Sequence, residues 1–386
     1  MIINKFGIRE QNEAMVLKTI ISNNNISRVE ISNKTHLNKA SVSQIAQALI
    51  DRQLVLETGS GQGSTSGGRK PIQLCFNGQA GLAIAFDIGY NYLNGQMTYL
   101  DGSIIHFISK KDLFITATNA INTIKDMMTE FVTLFPETPH GLTGIALAIH
   151  GVVNQGTMTM TPYYDLAAQD LVTPLEQLYD VPVFIENEAN LTALGEFCFS
   201  SLEKNLISLS IHSGIGAGII LNGSLITGKH GFAGEIGHTT LFPNGKPCPC
   251  GNQGCIEQYA SNKVLFDSYA DQKQLPYVNS DMFAQAYTAG DELAQTIAHE
   301  NADYLSIGLK NLVVHYDPET IIINSSVYRK IPSLVAHLEA ALTNIFTKEL
   351  SIKNSQLAEQ APLYGGIAVV IMNFLSIPDL KFYTEK

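Results

Sequence analysis

Cysteine is scarce in this chain. Five residues in 386, three of them within eight positions, do not suit the even framework of a disulfide-stapled secreted protein. Long hydrophobic runs are missing too. No stretch of about 18 uninterrupted apolar residues exists, and Met1 is not followed by a basic, then apolar, then small-residue leader. The expectation is a soluble, cytoplasmic protein with no membrane role. Charge is modest, 15% against 45% hydrophobic residues, which describes a globular rather than a disordered chain. A length of 386 residues is more than one simple core accommodates and predicts two or three domains.

What cysteine there is gathers in "HTTLFPNGKPCPCGNQGCIEQY", residues 238 to 259. His238, Cys248, Cys250 and Cys255 supply four soft or borderline ligands, enough for a closed tetrahedral Cys3His zinc site. Pro247, Pro249, Gly251 and Gly254 let a short loop wrap around an ion. The alternative is a loop of buried thiols without metal, but that would not need so many turn residues. Four protein ligands leave no open position for a hydrolytic water, so the zinc reads as structural.

Acidic residues dominate everywhere except the amino terminus. Residues 1–76 carry nine Lys and Arg against five Asp and Glu, a charge of +4, while residues 77–386 carry −15 of the total −11. A basic head on an acidic body suggests that the head alone meets nucleic acid. Residues 9–23 place Ala14, Leu17, Ile20 and Ile21 at helical spacing. A second helix starts at Ser27, with Glu30 three residues later as a capping box and Ile26 with Ile31 as a hydrophobic staple. It ends near 35–37. Asn38 caps a third helix, residues 39–53, with Val42, Ile45 and Leu49 on its apolar stripe. Lys39, Ser41, Ser43, Gln44 and Gln47 occupy the other face, side chains suited to phosphates and base edges. Strands "LVLE" and "IQLCF" follow, separated by "TGSGQGSTSGGRKP", which is too rich in glycine and serine to pack. The expectation is a winged helix-turn-helix whose wing delivers Arg69 and Lys70 to a phosphate or a minor groove. A plain helical bundle with a charged linker is the alternative.

From about residue 80 strands alternate with helices. "GLAIAFDIG" and "LTGIALAIHG" are apolar strands, "VPVFIENEANLTALGEF" runs from strand into helix, and "LISLSIHSGIGAGIILNGSLI" is a glycine-centred hairpin. The strand–turn–glycine plan near 83–89 returns near 207–218, so the α/β body reads as two similar halves. The stretch "SGIGAGIILNGSLITGKHGFAGEIGH" followed by "CPCGNQGCIE" resembles the signature of the ROK family of sugar kinases and sugar-responsive repressors. The head and "GRKP" resemble its repressor branch, of the xylose-repressor type.

That resemblance implies a body, residues 77–386, with an actin-like ATPase or sugar-kinase-like fold of two subdomains around a cleft, assembled as a homodimer or higher homo-oligomer. It places sugar contacts on Asn187 and Glu188 of "ENEAN", on Glu235 and His238 of "EIGH", and on Glu257 of "GCIE". The chemistry stands independently, since a carboxylate accepts hydrogen bonds from vicinal sugar hydroxyls. In the family the histidine binds zinc through one ring nitrogen and can offer the other to the sugar, so zinc fixes the orientation of a sugar donor.

The resemblance to the kinases breaks where their chemistry lies. They carry an aspartate general base where this chain has Glu188, one methylene longer. Their phosphate loop has a glycine pair and threonine, where Asp87 is here followed by Ile88, Gly89, Tyr90, Asn91 and Tyr92. "INSSV" at 323–327 stands in place of a glycine pair near the adenosine. The expectation is therefore no catalytic residues, no ATP and no enzyme, but a sugar-responsive repressor of carbohydrate-utilisation genes that binds operator DNA. An active ATP-dependent sugar kinase with a fused DNA-binding head is the competing reading, and a head that docks a protein partner is the third.

Overall fold

The computed structural model describes residues 7–60, 71–89, 91–161, 164–167 and 169–382. Arg69, Lys70 and Tyr90 lie outside them. The chain forms two compact units: unit 1 is Met1–Ile149, Tyr164–Ile185 and Gly366–Lys386, and unit 2 is His150–Tyr163 and Glu186–Gly365.

Unit 1 opens with the helix-turn-helix: α1 (Ile8–Ile21), β1 (Ile26–Ser27), α2 (Arg28–Thr35) and α3 (Lys39–Asp51), then β2 (Val55–Ser60) and β3 (Ile72–Phe76) in a sheet ordered β1-β3-β2. The capping box forms as the spacing requires, Glu30 N donating to Ser27 Oγ at 3.3 Å and Ser27 N to Glu30 Oε2 at 2.8 Å. Donation to the Glu30 carboxylate from Ser27 Oγ, at 2.6 Å, and then from Ser27 N holds that carboxyl below its ordinary range. Both staple residues, Ile26 and Ile31, are buried. Ser41 N donates to Asn38 Oδ1 at 2.8 Å, starting α3. The α3 stripe differs slightly from the sequence expectation: Val42, Ala46 and Leu49 are buried and Ile45 is half-buried, so of the two residues that flank the Val42–Leu49 line it is the small Ala46 that faces fully inward. Lys39, Ser43, Gln44 and Gln47 are exposed, and Ser41 is half-buried at the first turn.

The next elements are β4 (Leu82–Ile88), β5 (Tyr92–Tyr99), β6 (Ile104–Lys111), α4 (Ala120–Val132), β7 (Leu142–Ile149), the small hairpin β8 (Val152–Asn154) and β9 (Thr157–Met160), α5 (Val172–Tyr179) and β10 (Val183–Asn187). Then come α6 (Glu188–Phe199), β11 (Leu206–Ile211), β12 (Ile215–Leu221) and β13 (Ser224–Leu225). The chain continues through α7 (Glu257–Ala260), α8 (Asn262–Lys273), α9 (Ser280–Thr288) and α10 (Glu292–Tyr316). It closes with β14 (Thr320–Asn324), α11 (Ser326–Lys330), α12 (Ser333–Ala341), β15 (Ser351–Asn354) and α13 (Ala361–Leu375).

The two halves share one plan. The sheet of unit 1 is ordered β10-β7-β4-β5-β6, with β4 antiparallel to β5 and parallel to β7. The sheet of unit 2 is ordered β13-β12-β11-β14-β15, with β11 antiparallel to β12 and parallel to β14. An apolar β4 buried along its whole length matches an equally buried β11, the pattern of strands covered on both faces. In unit 2, Ile207, Leu209, Ile321 and Ile323 meet Leu305 and Leu309 of α10 in one core. Part of the glycine pattern in "SGIGAG" has a packing cause. A Cβ on Gly218 would sit 2.3 Å from the Ala189 carbonyl oxygen, so glycine lets β12 lie directly against α6.

Candidate effector cavity and metal centre

A cavity of about 500 Å³ lies within unit 2, at the carboxyl end of β11 and the amino end of β12, beside the start of α6. All five expected sugar-contact residues line it: Asn187, Glu188, Glu235, His238 and Glu257. Glu188, the first residue of α6, is 5% exposed, and its Oε1 accepts from Thr192 Oγ1 at 2.8 Å and Ser210 Oγ at 3.2 Å. His212 Nε2 lies 4.0 Å from the same oxygen. Asn187 has a structural task as well, its Oδ1 capping α6 through Asn190 N at 3.1 Å and its Nδ2 donating to the Gly151 carbonyl at 2.7 Å.

Glu257 starts α7, and its Oε2 accepts from Ile215 N at 3.1 Å. Burial pushes the Glu235 carboxyl above its ordinary range; nearby His238 opposes the shift and the charge of Glu257 adds to it. Three carboxyl groups thus contribute to the polar lining of the cavity. Val152, Met160 and Phe232 give the same cavity an apolar part of its wall. Such a lining suits a ligand with a hydroxyl rim and an apolar face.

The ligand atoms of His238, Cys248, Cys250 and Cys255 all lie within 4.8 Å of one another. His238 Nδ1 is 3.5 Å from Cys248 Sγ, and the sulfurs of Cys250 and Cys255 are 3.7 Å apart. A tetrahedron of thiolate and imidazole ligands around zinc separates neighbouring ligand atoms by about 3.5–3.8 Å, so these donors fit the ion. The loop turns at Gly251 and Gly254, both at positive φ. Burial, then the neighbouring Cys248 and Cys250 sulfurs, push the Cys255 thiol up to about 12. A divalent cation reverses that preference, because a coordinating thiol is deprotonated outright.

Sequence reasoning missed His150, His212, Ser210, Thr192 and the apolar wall. The two histidines could have been found, because each directly follows a buried strand, in "IHG" after β7 and "IHSG" after β11. Their rings meet edge to face with centroids 6.5 Å apart. Strand ends are where α/β sheets place ligands.

The ROK family pattern matches residues 83–372. This chain belongs to the ROK family. Over nearly its full length it is also 35% identical to the xylose repressor of Bacillus subtilis, covering 96% of this chain and 97% of that protein. The xylose repressor of Lactiplantibacillus pentosus is 32% identical, with 98% and 97% covered. Among solved structures, a ROK family transcriptional regulator described as a homologue of the Escherichia coli MLC protein superimposes with a TM-score of 0.83 at 26% identity, covering 95% of this chain and 97% of its own. This ROK chain therefore shares the head as well as the body with regulators of the family.

Proposed function

We propose that this ROK protein is a sugar-responsive transcriptional repressor of carbohydrate-utilisation genes. Residues 1–76 hold operator DNA, and residues 77–386 bind the effector sugar and carry the self-association that pairs two heads. The observation that carries the effector half is the cavity itself: three carboxyl groups and His238 converge on it, and among the described residues no Lys or Arg lines it. A phosphorylated sugar would meet three carboxyl groups and, among the described lining residues, no Lys or Arg, so the reading favours a neutral sugar. The named relatives make D-xylose the first to test.

The DNA half rests on α3 and the three-stranded sheet. Lys39, Ser43, Gln44 and Gln47 project from the exposed face of α3, with Ser41 at its first turn, while Arg69 and Lys70 belong to the wing segment. Sugar acts by binding two conformations of the repressor with different affinity, which shifts the population away from the operator-binding one. Such a protein works in the cytoplasm, where its operator is. No described helix is long and apolar enough to cross a membrane.

His238, Cys248, Cys250 and Cys255 would hold a zinc ion, which would supply a fixed cation that orients the imidazole; four protein donors would make it structural. Two features argue against kinase activity. A Cβ on Gly89 would lie 2.2 Å from the Tyr92 ring, which therefore covers the turn where phosphate would need bare backbone. Ser325, where kinases keep a glycine pair, is buried, caps α11 and donates to Asn262 Oδ1 at 3.2 Å. The test is an operator gel shift with the purified full chain, with and without D-xylose, beside a sugar-dependent ADP-release assay. Operator release without ADP supports repression; sugar-dependent turnover would establish the kinase instead.

A further inference from the structure

The loop from β13 to His238 brings Phe232, Glu235 and His238 to the cavity at intervals of three residues. Its backbone is fixed on both sides of the phenylalanine. Gly231, at φ +78°, would place a Cβ 2.3 Å from the Val153 carbonyl oxygen, and Gly234, at φ +93°, would place one 1.9 Å from that of Ala217. Only glycine permits these approaches to β8 and β12. Glu235 N donates to the Phe232 carbonyl at 3.2 Å, so the turn that aims the carboxylate also aims the ring.

Phe232 nevertheless remains 62% exposed. A phenylalanine so exposed adds little to the core, yet it lines the same cavity as Val152, Met160 and the three carboxyl groups, its ring centroid 5.8 Å from that of His230. We infer that Phe232 is the stacking platform of the effector site, taking a ring-closed, unphosphorylated monosaccharide with one C–H face flat against the aromatic ring. The inference rests on the reading that this cavity holds a sugar. A pyranose carries its hydroxyls around the rim and presents axial C–H groups on its faces. The electron-rich face of an aromatic ring suits those polarised C–H groups, while Glu235 and Glu188 accept from the rim. An open-chain polyol offers similar hydroxyls without a persistent flat face. The platform therefore selects ring form as well as hydroxyl pattern.

The chain contains no tryptophan, so Phe232→Trp introduces a single indole at this position. The full-length variant is titrated with D-xylose, D-glucose and xylitol while emission is recorded, and the wild type is titrated by calorimetry with the same three. The expected result is a saturable blue shift with an aldose, its midpoint matching calorimetry on the variant, and no shift with xylitol. Phe232→Ala weakens aldose binding about tenfold and Phe232→Leu fails to restore it, whereas Phe232→Tyr binds as wild type, all with unchanged melting temperature. Wild-type affinity in both the Ala and Leu variants, or calorimetric saturation of the Trp variant with static emission, overturns the platform. If the wild type binds none of the three, the sugar reading itself falls, and the platform with it.

Discussion

His238 Nε2 lies 3.9 Å from Glu235 Oε2, while Nδ1 of the same ring faces Cys248 Sγ. One imidazole therefore joins the thiol cluster to the polar wall of the cavity. A metal on Nδ1 fixes the tautomer and leaves Nε2–H as a rigid donor.

That arrangement predicts the outcome of Cys248→Ser. If the cluster only stapled a loop, the variant would lose stability but keep its sugar affinity wherever it stayed folded. We expect instead that sugar affinity falls by at least the 10–100-fold typical of damage around metal sites, roughly, at a temperature where the fold persists. Operator binding should survive because the head contributes none of these ligands, and induction should disappear. Zinc content by mass spectrometry, calorimetric sugar titration and a gel shift with and without sugar make the test. Unchanged sugar affinity in a demonstrably zinc-free variant would reduce the cluster to a staple.

Operator affinity should fall steeply with salt if, as proposed, Lys39, Arg69 and Lys70 replace phosphate counterions. Lys39→Ala should lower the slope of log affinity against log salt by about one, the effect of losing one phosphate contact. The double change of Arg69 and Lys70 to alanine should lower it further and leave sugar calorimetry untouched. An unaltered slope in the double variant would remove the wing from the DNA interface.

How legible these parts were follows from the range of the contacts that build them. The head was readable because its signals are local: Ser27 and Glu30 cap each other three residues apart, and Asn38 caps the next helix. Even there, Ala46 rather than Ile45 is fully buried on the stripe, because helical period places both beside the Val42–Leu49 line and only the packing of the head chooses between them. The four metal-ligand candidates stood out because turn residues and cysteines crowd one short segment. The apolar wall was not legible. Met160 and Phe232 are 72 residues apart in the numbering and carry no motif of their own. The fixing of Glu188 by Thr192 and Ser210 likewise depends on how α6 meets β11.

Stability should carry an acid-side signature from Glu196. This carboxyl is buried among Ser200 and Ser355, and burial raises it above its ordinary 4.5. A carboxyl raised on folding stabilises the fold fully below its unfolded value, and that contribution is lost as pH rises through the folded value. Glu196→Gln cannot ionise, so the decline in melting temperature from about pH 4.5 upward should be shallower than in the wild type. Thermal unfolding across pH 4 to 8 tests this, and parallel curves would show that Glu196 does not titrate with the fold.

Glu188 decides between ligand contact and catalysis. Its carboxylate is already oriented by Thr192 and Ser210, so it enters sugar binding as a preorganised acceptor. Glu188→Gln removes the charge and keeps the shape, and hydrogen bonds to charged groups contribute about 1.5–3 kcal/mol. Sugar affinity should therefore fall roughly 10–100-fold, with operator affinity unchanged and the inducing concentration raised by the same factor. Glu188→Asp restores the kinase residue type but leaves the Tyr92 ring over Gly89 and Ser325 capping α11. That variant should release no sugar-dependent ADP above background. Phosphoryl transfer by Glu188→Asp would mean that one methylene alone separates this repressor from an enzyme, and the phosphate-site argument would be wrong. Wild-type sugar affinity in Glu188→Gln would instead move the ligand away from α6, onto the wall formed by Glu235, His238 and Glu257.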